Sequence, residues 1–358
     1  MIHIILGTKA QLIKMAPVMK ELADRNIGYN FIFTGQHKET IKELMEVFKL
    51  KPPGYTLYDG ADITKISRMF FWIFKCLWQT VENKKIIFTN EKGIVLIHGD
   101  TVSTILGALM AKINGLKISY VEAGLRSFNL LNPFPEEIVR RITSRLADYH
   151  FCPGDFAFEN SRKYKGKIIN TKENTLLDSL KLVLEDEERI LVNVPEENYC
   201  LVSLHRFENI FNKARFSRIL ETVKKISGEI KVLFILHKPT KQKLAEYGFF
   251  AELENNLNIE LRPRYDYFQF IKLLKNSDFI ITDGGSNQEE SYYLGKPCLI
   301  MRKTTERKEG LGKNAVVSGY DRKIISNFIA DYRKHKLIPT GFDVSPSKII
   351  VDYVEKLN

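Results

Sequence analysis

Cysteine is scarce in this chain, with four among 358 residues. They are Cys76, Cys152, Cys200 and Cys298, and no two of them form a CxxC pair. A disulfide framework or a structural zinc site would need clustered cysteines, so the sequence favours neither. The last three lie in apolar, strand-like segments, which is typical of reduced and buried thiols. A basic, apolar and cleavable leader is also missing after Met1, and we therefore expect a cytoplasmic protein.

The signatures of several other protein classes are missing as well. No apolar run approaches the roughly 20 residues that span a bilayer, and no GxxxxGK[ST] loop of an ATPase is present. The turn after the first predicted strand, residues 7–11 (GTKAQ), lacks the GxGxxG of an ordinary dinucleotide-binding dehydrogenase. No helix-turn-helix, zinc-finger or RNA-binding signature accompanies the net charge of +11, so we predict no nucleic-acid partner.

The excess of positive charge indicates another kind of partner. An anionic, phosphorylated substrate explains part of it, and a weak attraction to an acidic membrane surface would explain more. Residues 69–78 (MFFWIFKCLW) fit an amphipathic helix that seeks such a surface, and they also fit a helix buried in a subunit interface or against the core. We favour burial, since aromatic-rich patches commonly bind protein. Basic residues flank the segment: Lys65, Arg68, Lys84 and Lys85.

Apolar runs alternate with helix-length segments along the whole chain. This alternation predicts an α/β fold with two Rossmann-like, doubly wound parallel-sheet domains that face each other across a cleft. We assign residues 1–168 with a C-terminal helix at 345–358 to the first domain and residues 169–344 to the second. A charged stretch, 162–195, with a helix over 175–190, would connect them. The predicted strands are residues 2–6, 30–34, 93–98, 117–122, 149–152, 199–204, 232–236, 259–261, 278–282 and 298–301.

Carboxylates lie at the ends of two of these strands. Asp100 comes after the strand at 93–98 and Glu122 ends the next one, so both should face one crevice at the carboxyl edge of the sheet. A third acid, Glu136, follows Pro135, which suits the first position of a helix, and Arg140 lies one turn later. Three convergent carboxylates indicate proton-transfer chemistry. The alternative is that each acid only caps a helix or forms a solvated surface pair.

The second half carries features of a phosphate site. The strand at 278–282 runs into Gly284, Gly285 and Ser286, with a helix predicted to begin near Asn287, and a helix N-terminus binds phosphate through its backbone amides. The alternative is that these residues form only an ordinary tight turn between the strand and the helix. Glu290, farther along this helix, is placed to hold ribose hydroxyls. Four cationic or ionisable side chains are candidates for the diphosphate: His205 and Arg206 after one strand, and Lys9 and Lys14 near the first turn.

Taken in order, the motifs of this chain resemble the non-hydrolysing UDP-N-acetylglucosamine 2-epimerases, which are built on the GT-B glycosyltransferase scaffold. The resemblance covers nearly the whole chain. The matching stretches are residues 7–8 with 13–14, 34–37 (TGQH), 98–101 (HGDT), 122–126 (EAGLR), 135–137 (PEE) with Arg140, 205–206 (HR) with 208–209 (EN), 282–283 (TD) with 288–290 (QEE), and 305–307 (TER).

The resemblance implies inversion at C2 of the sugar of UDP-N-acetylglucosamine, giving the N-acetylmannosamine epimer for surface polysaccharide synthesis. A base removes the C2 proton as UDP leaves anti from C1, and UDP re-adds to the 2-acetamidoglucal. Asp100, Glu122 and Glu136 match the family's catalytic carboxylates, and His205 matches a catalytic position beside the diphosphate. The resemblance implies no cofactor and no metal. It does imply a homodimer. The matching substrate-binding positions are Lys9, Lys14, Arg140, Arg206, Gly284, Gly285, Ser286, Glu290 and Arg307.

Two departures from the family pattern keep other functions open. The family's GTRPE at the first turn is GTKAQ here, and its Ser-Gly-Gly after Thr-Asp is Gly284-Gly285-Ser286. The segment that helps form the family's regulatory site is poorly matched around residues 55–66, so allosteric activation is not expected to persist. A hydrolysing epimerase would release UDP and a free sugar, a GT-B glycosyltransferase would need an acceptor, and a non-catalytic sensor would only bind UDP.

Overall fold

The computed structural model describes residues 1–36, 41–60, 63, 66–89, 93–129 and 135–357, without the side chains of Ile66 and Ser67. The chain divides into two compact units. The first comprises Met1–Leu182 and Phe342–Asn358, and the second Val183–Gly341. Each contains a parallel sheet with its own hydrophobic core.

The first unit has a seven-stranded parallel sheet in the order β3-β2-β1-β4-β5-β6-β7. Its central strands are buried throughout, as expected of a sheet covered on both faces. The strands are β1 (Ile2–Leu6), β2 (Tyr29–Phe33), β3 (Tyr55–Thr56), β4 (Ile94–His98), β5 (Lys117–Val121), β6 (Tyr149–Cys152) and β7 (Lys167–Asn170). The helices are α1 (Lys9–Asp24), α2 (Ile41–Val47), α3 (Ile66–Glu82), α4 (Lys84–Ile87), α5 (Val102–Ile113), α6 (Glu136–Leu146), α7 (Gly154–Ser161) and α8 (Leu176–Glu185).

The second unit repeats this design with a six-stranded parallel sheet in the order β10-β9-β8-β11-β12-β13. Its strands are β8 (Tyr199–Leu204), β9 (Lys231–Leu236), β10 (Ile259–Pro263), β11 (Phe279–Thr282), β12 (Cys298–Ile300) and β13 (Ala315–Val317). Its helices are α9 (Phe207–Ile210), α10 (Lys213–Ile226), α11 (Lys238–Tyr247), α12 (Phe250–Glu254), α13 (Tyr267–Asn276), α14 (Gly285–Tyr293) and α15 (Arg322–Asp331); the C-terminal α16 (Pro346–Glu355) belongs to the first unit. Short 3₁₀ turns lie at Glu187–Arg189 and Tyr332–His335.

The predicted alternation of strands and helices is confirmed, and two helix starts and one helix end need correction. Pro135 caps α6 from outside, and the helix begins at Glu136. Helix α14 begins at Gly285 rather than near Asn287, because Gly284 already has the extended conformation of a cap residue. Helix α8 covers only Leu176–Glu185 of the predicted 175–190, and a 3₁₀ turn follows it.

The two units divide after Leu182, whereas the sequence placed the boundary at residue 168. The later division has a physical cause, since α8 packs on the first unit. The Ser179 hydroxyl donates to the carbonyl of Ile13 in α1 at 2.7 Å, and the Asp178 carboxylate accepts from the Ser347 amide of α16 at 2.7 Å. Helix α16 also reaches α1, where Arg25 pairs with Asp352 at 2.6 Å.

Helix α3 has one buried and one exposed face. Trp72 and Cys76 are fully buried, and the Trp72 indole donates to the Thr34 carbonyl at 3.0 Å. On the other face Phe70, Phe71, Phe74, Trp78 and Val81 are 57–69% exposed. The amphipathic helix predicted around residues 69–78 is therefore present, and its aromatic side faces outward. Within the described ranges, every helix is too short or too polar to cross a bilayer.

All four cysteines are buried and unpaired, as the sequence predicted. Burial raises the pKa of Cys76 and of Cys298 to about 12, and that of Cys152 to about 11. At neutral pH these thiols are protonated, so they fill the core and are poor nucleophiles.

Candidate active site

The first two candidate acids lie at the same edge of the first sheet. His98, the last residue of β4, is paired with Val121, the last residue of β5, and the Gly99 amide donates to the Val121 carbonyl at 3.1 Å. Asp100 and Glu122 follow directly, so both leave the carboxyl ends of neighbouring parallel strands. This is the edge at which open α/β sheets bind ligands.

Glu122 has an unusual backbone conformation. Its φ angle is +64°, in the left-handed region that side chains other than glycine seldom adopt. Such a conformation costs about 1–3 kcal/mol and occurs most often at functional sites. The chain can turn so sharply here because Gly124 follows at φ +85°, where a Cβ would lie 1.9 Å from the Ala157 carbonyl oxygen.

The Glu122 carboxylate is buried and is contacted by polar groups from three other segments. The Lys14 ammonium of α1 lies 2.7 Å from its Oε2 atom, and the Asn174 amide donates to the same oxygen at 3.0 Å. His98 Nε2 lies 3.2 Å from it. Lys14 was predicted to add positive charge beside the diphosphate; the structure pairs its ammonium with Glu122, because a buried cation is costly unless a carboxylate accompanies it.

The second cluster of charges connects Asp100 with α6. The Arg140 guanidinium contacts the Asp100 carboxylate, and Glu137 Oε2 lies 3.8 Å from another nitrogen of the same guanidinium. Glu137 is fully buried and also pairs with Arg126 at 3.2 Å. Glu136 is the first residue of α6, one turn before Arg140 and therefore on the same side of the helix. Arg140 thus brings Asp100 to the start of the helix that carries the third acid.

Tyr120 stands among the charges of both clusters. Its side chain is fully buried in β5. Burial raises the pKa of this phenol above its usual range, and the negative charges of Asp100 and Glu122 add to the effect. Tyr120 therefore remains a neutral hydroxyl at neutral pH.

The second unit is organised around the buried Asp283 carboxylate. It accepts the backbone amides of His205 and Arg206, each at 3.0 Å, and the Asn209 side-chain amide at 2.9 Å. His205 Nδ1 lies 3.4 Å from its Oδ1. Burial lowers the pKa of His205, and Asp283 opposes this shift. Asp283 follows β11 directly and so fixes the turn after β8, which displays His205 and Arg206.

Helix α14 begins beside this turn. Its cap residue is Gly284, which has no side chain to accept from the first amides of the helix. Ser286, in the first turn, is half-buried. A Cβ atom on Gly284 would approach Asn287 Oδ1 to 2.8 Å and His205 Cε1 to 3.1 Å. Glycine therefore keeps a polar helix N-terminus close to the His205 ring, in the arrangement that suits a phosphate group.

Two consecutive buried glutamates, Glu289 and Glu290, follow in α14. Glu289 is fully buried and pairs with Arg307 at 2.5 Å, and the neighbouring Glu290 is also buried. Burial raises the pKa of Tyr267, and Glu290 contributes to this shift. Arg307, predicted to contact substrate, is thus held by Glu289.

Glu306, beside Arg307, connects this cluster with Arg206. Its Oε2 atom accepts from Arg302 at 3.0 Å, and its Oε1 atom lies 4.0 Å from an Arg206 nitrogen. Burial favours a higher pKa for Glu306, but the surrounding arginines Arg302, Arg307 and Arg206 hold this pKa at about 2. The carboxylate is therefore ionised at neutral pH, hydrogen-bonded to Arg302 and close to the Arg206 guanidinium.

Lys9 is the first residue of α1, at the end of β1, and Gln11 completes the capping of this helix. Gln11 Oε1 accepts the Gly7 amide at 2.9 Å, while its Nε2 donates to the His98 carbonyl at 2.7 Å. An ionised glutamate at this position would have no donor for that carbonyl. The altered first turn thus connects β1 to the end of β4.

Sequence reasoning missed the roles of Asn174 and Asp283. Asn174 precedes a helix, where an asparagine normally signals only a cap. Asp283 is a strand-end acid like Asp100, and that position was the one signal available. Among the described residues, no group of three or more His, Cys, Asp or Glu side chains is arranged to hold a metal ion.

The sequence profile of the UDP-N-acetylglucosamine 2-epimerases matches residues 20–340 of this chain. A UDP-N-acetylglucosamine 2-epimerase of Methanococcus maripaludis is 34% identical over 372 aligned positions, which cover 99% of this chain and 98% of that protein. The chain belongs to the UDP-N-acetylglucosamine 2-epimerase family. The predicted family is confirmed over nearly the whole length of both chains.

Solved structures of 2-epimerases agree with this assignment. The Methanocaldococcus jannaschii enzyme, in complex with UDP-GlcNAc and UDP, superposes with a TM-score of 0.82 at 29% identity, covering 99% of each chain. The Neisseria meningitidis enzyme bound to UDP-GlcNAc gives 0.83 at 29% identity, again covering 99% of each chain. The predicted α/β fold with two parallel-sheet domains of GT-B type is therefore confirmed.

Proposed function

We propose that this chain interconverts UDP-N-acetylglucosamine and UDP-N-acetylmannosamine without hydrolysis, for surface polysaccharide synthesis. The observation that carries the proposal is the presence of all three carboxylates, Asp100, Glu122 and Glu136, in a member of the epimerase family. Removal of the C2 proton on one face and its return on the other need acid/base groups, which typically contribute about 10²–10⁴-fold each.

The first unit would act on the sugar. Asp100 and Glu122 would exchange protons with C2, with Glu136 beside them at the start of α6. Their environments differ, because Glu122 is paired with a lysine and Asp100 with an arginine. Two carboxylates in different surroundings can hold different protonation states, which a base and an acid require.

The second unit would hold UDP. The α14 N-terminus with Gly284, Gly285 and Ser286 would accept a phosphate, and His205 and Arg206 would stabilise the charge that develops on the departing diphosphate. Glu290 would bind the ribose hydroxyls. Lys9, at the N-terminus of α1, would add positive charge. Arg307 would orient the phosphate site through its pair with Glu289.

Product analysis tests this function. Purified protein incubated with UDP-N-acetylglucosamine alone should give a mixture of two UDP-sugars, seen by phosphorus NMR as two diphosphate species without free UDP. Accumulation of free UDP would indicate the hydrolysing reaction instead. An unchanged spectrum would contradict both epimerase reactions, and turnover that appears only with an acceptor would indicate a transferase.

We further propose that the chain is a homodimer whose subunits meet through the exposed aromatic face of α3. Phe70, Phe74 and Trp78 are 69%, 65% and 57% exposed. Aromatic side chains of this kind are enriched at interfaces, and a two-fold contact would bury the same face of both copies.

Sedimentation tests the dimer. We expect twice the 41.5 kDa chain mass for the wild type and the single mass for Phe74→Asp, since a charge in an apolar interface is costly. Leu257→Asp, a fully exposed residue of the second unit, is the matched control and should stay dimeric. A wild-type monomer that binds anionic vesicles through this face would contradict the dimer and support the membrane-surface alternative.

A further inference from the structure

Asn174 connects the candidate acid/base residue Glu122 to α8, a helix outside the motifs described above. It is a buried residue in the turn before α8. Its side-chain oxygen accepts the Leu176 amide at 3.0 Å, and its side-chain nitrogen donates to Glu122 Oε2 at 3.0 Å. The oxygen of this amide group therefore binds the start of α8, while its nitrogen binds the Glu122 carboxylate.

Helix α8, which Asn174 precedes, is hydrogen-bonded to α1, the helix that contains Lys14. Ser179, in the first turns of α8, donates to the Ile13 carbonyl at 2.7 Å, and Lys14 is the next residue of α1. The two donors that converge on Glu122 Oε2 are thus parts of one rigid arrangement. His98 Nε2 approaches the same oxygen to 3.2 Å from the end of β4.

We propose that Asn174 is a positioning residue for Glu122, an inference that rests on the proposed epimerase function. Its amide, with Lys14 and His98, holds the carboxylate in one orientation and favours its ionised form. This assigns a part in the reaction to the turn before α8, although residue 174 lies outside the motif stretches given above. A neutral donor suits this task because it stabilises the anion without adding a proton that could be lost.

The substitution Asn174→Asp separates this role from the capping of α8. An aspartate keeps the oxygen that accepts the Leu176 amide, and aspartate is a good cap residue, so we expect the unit to fold. It removes the donor and adds a negative charge beside Glu122. Among the described residues, ionisable groups near Glu122 include Lys14 of α1, His98 of β4 and Tyr120 of β5, and all three side chains are kept in the variant.

Asn170→Asp is a matched control in the same unit. Asn170 also accepts an amide two residues on, that of Lys172 at 2.8 Å, and also donates to a carboxylate, that of Asp155 at 2.7 Å. This pair is exposed, so the same chemical change there should leave the pH profile unaltered.

The pH dependence of kcat decides the proposal. Loss of the donor and gain of a like charge both raise the pKa of Glu122. We expect one limb of the kcat profile to move up by about one pH unit, since a hydrogen bond to a charged group is worth about that much. Along that limb we expect kcat at a given pH to fall by up to about tenfold, with little change in KM. Profiles of Asn174→Asp that coincide with those of Asn170→Asp would overturn the positioning role.

An inactive wild type would overturn the proposed function but leave the Asn174 contact testable through stability. A carboxylate stabilised in its ionised form by the fold contributes stability that is lost as the pH falls through its folded-state pKa. A raised pKa moves this loss to higher pH. In Asn174→Asp the acid-side decline of the melting temperature should therefore be smaller and should end about one pH unit higher than in Asn170→Asp. Superimposed melting curves across the acid range would refute the contact.

Discussion

Glu122→Gln should abolish epimerisation while leaving UDP binding nearly intact. Glutamine keeps the shape of the side chain and an oxygen for the Asn174 and Lys14 donors, but it cannot take up or release a proton at the pH of the reaction. General acid/base catalysis contributes about 10²–10⁴-fold, so kcat should fall by at least 10²-fold. The measurements are the rate of UDP-sugar interconversion and the UDP dissociation constant from calorimetry.

A control must separate this loss from misfolding, because the substitution leaves the buried Lys14 ammonium without a charged partner. The melting temperature of the variant provides that check. Glu159→Gln, an exposed residue of the same unit that pairs with Arg162, should retain full activity. Near-normal turnover by Glu122→Gln would show that its carboxylate takes no part in proton transfer.

Asp283→Ala should cause the largest loss of stability. It leaves the His205 and Arg206 amides and the Asn209 side chain without their buried acceptor. Each buried donor left unpaired costs about 1–3 kcal/mol, so we expect a loss of about 3 kcal/mol or more. In a unit of this size that corresponds to a fall in melting temperature of about 6–12 °C. UDP affinity should fall with it, because the turn that carries His205 loses its support.

Two further variants serve as controls for the stability loss of Asp283→Ala. His205→Ala removes the ring but leaves the hydrogen bonds of its backbone, so UDP affinity and rate should fall while the melting temperature stays nearly constant. Asp331→Ala removes an exposed carboxylate that pairs with Lys334, and the melting temperature should change by no more than about 1 °C. An Asp283→Ala protein as stable as the wild type would contradict the organising role of that carboxylate.

The sheet could be predicted from sequence wherever its strands are buried on both sides. The runs at β1, β6 and β8 match the structure residue for residue, because a strand buried on both faces is mostly apolar. The missed strands, β3, β7 and β13, all lie at sheet edges. They have two to four residues and are half-exposed, so no apolar run distinguishes them from loops.

For the candidate site, the positions of two acids could be predicted from the sequence, but their contacts could not. Chain order alone places Asp100 and Glu122 after neighbouring strands, and parallel strands bring their ends together. The partners of those acids could not be predicted, because they come from distant segments. Asn174 and Lys14 reach Glu122 through the packing of α8 on α1, and this packing depends on tertiary contacts such as that of Ser179 with Ile13.

The position of Glu136 relative to the other acids stays a prediction. Residues 130–134, including Pro133 and Phe134 of the turn before α6, lie outside the described residues, as does His37 of the 34–37 motif. The Arg140 contact to Asp100 supports the prediction, because Glu136 lies on the same side of α6.

The central claim is that carboxylates of the first unit move a proton at C2 of a UDP-bound sugar, and an incubation in heavy water tests it most directly. Purified protein is mixed with UDP-N-acetylglucosamine alone in D₂O, and the recovered UDP-sugars are examined by proton NMR and mass spectrometry. We predict one deuterium at C2 in both epimers, incorporated as they equilibrate. Epimerised product that keeps its original C2 hydrogen would contradict the account.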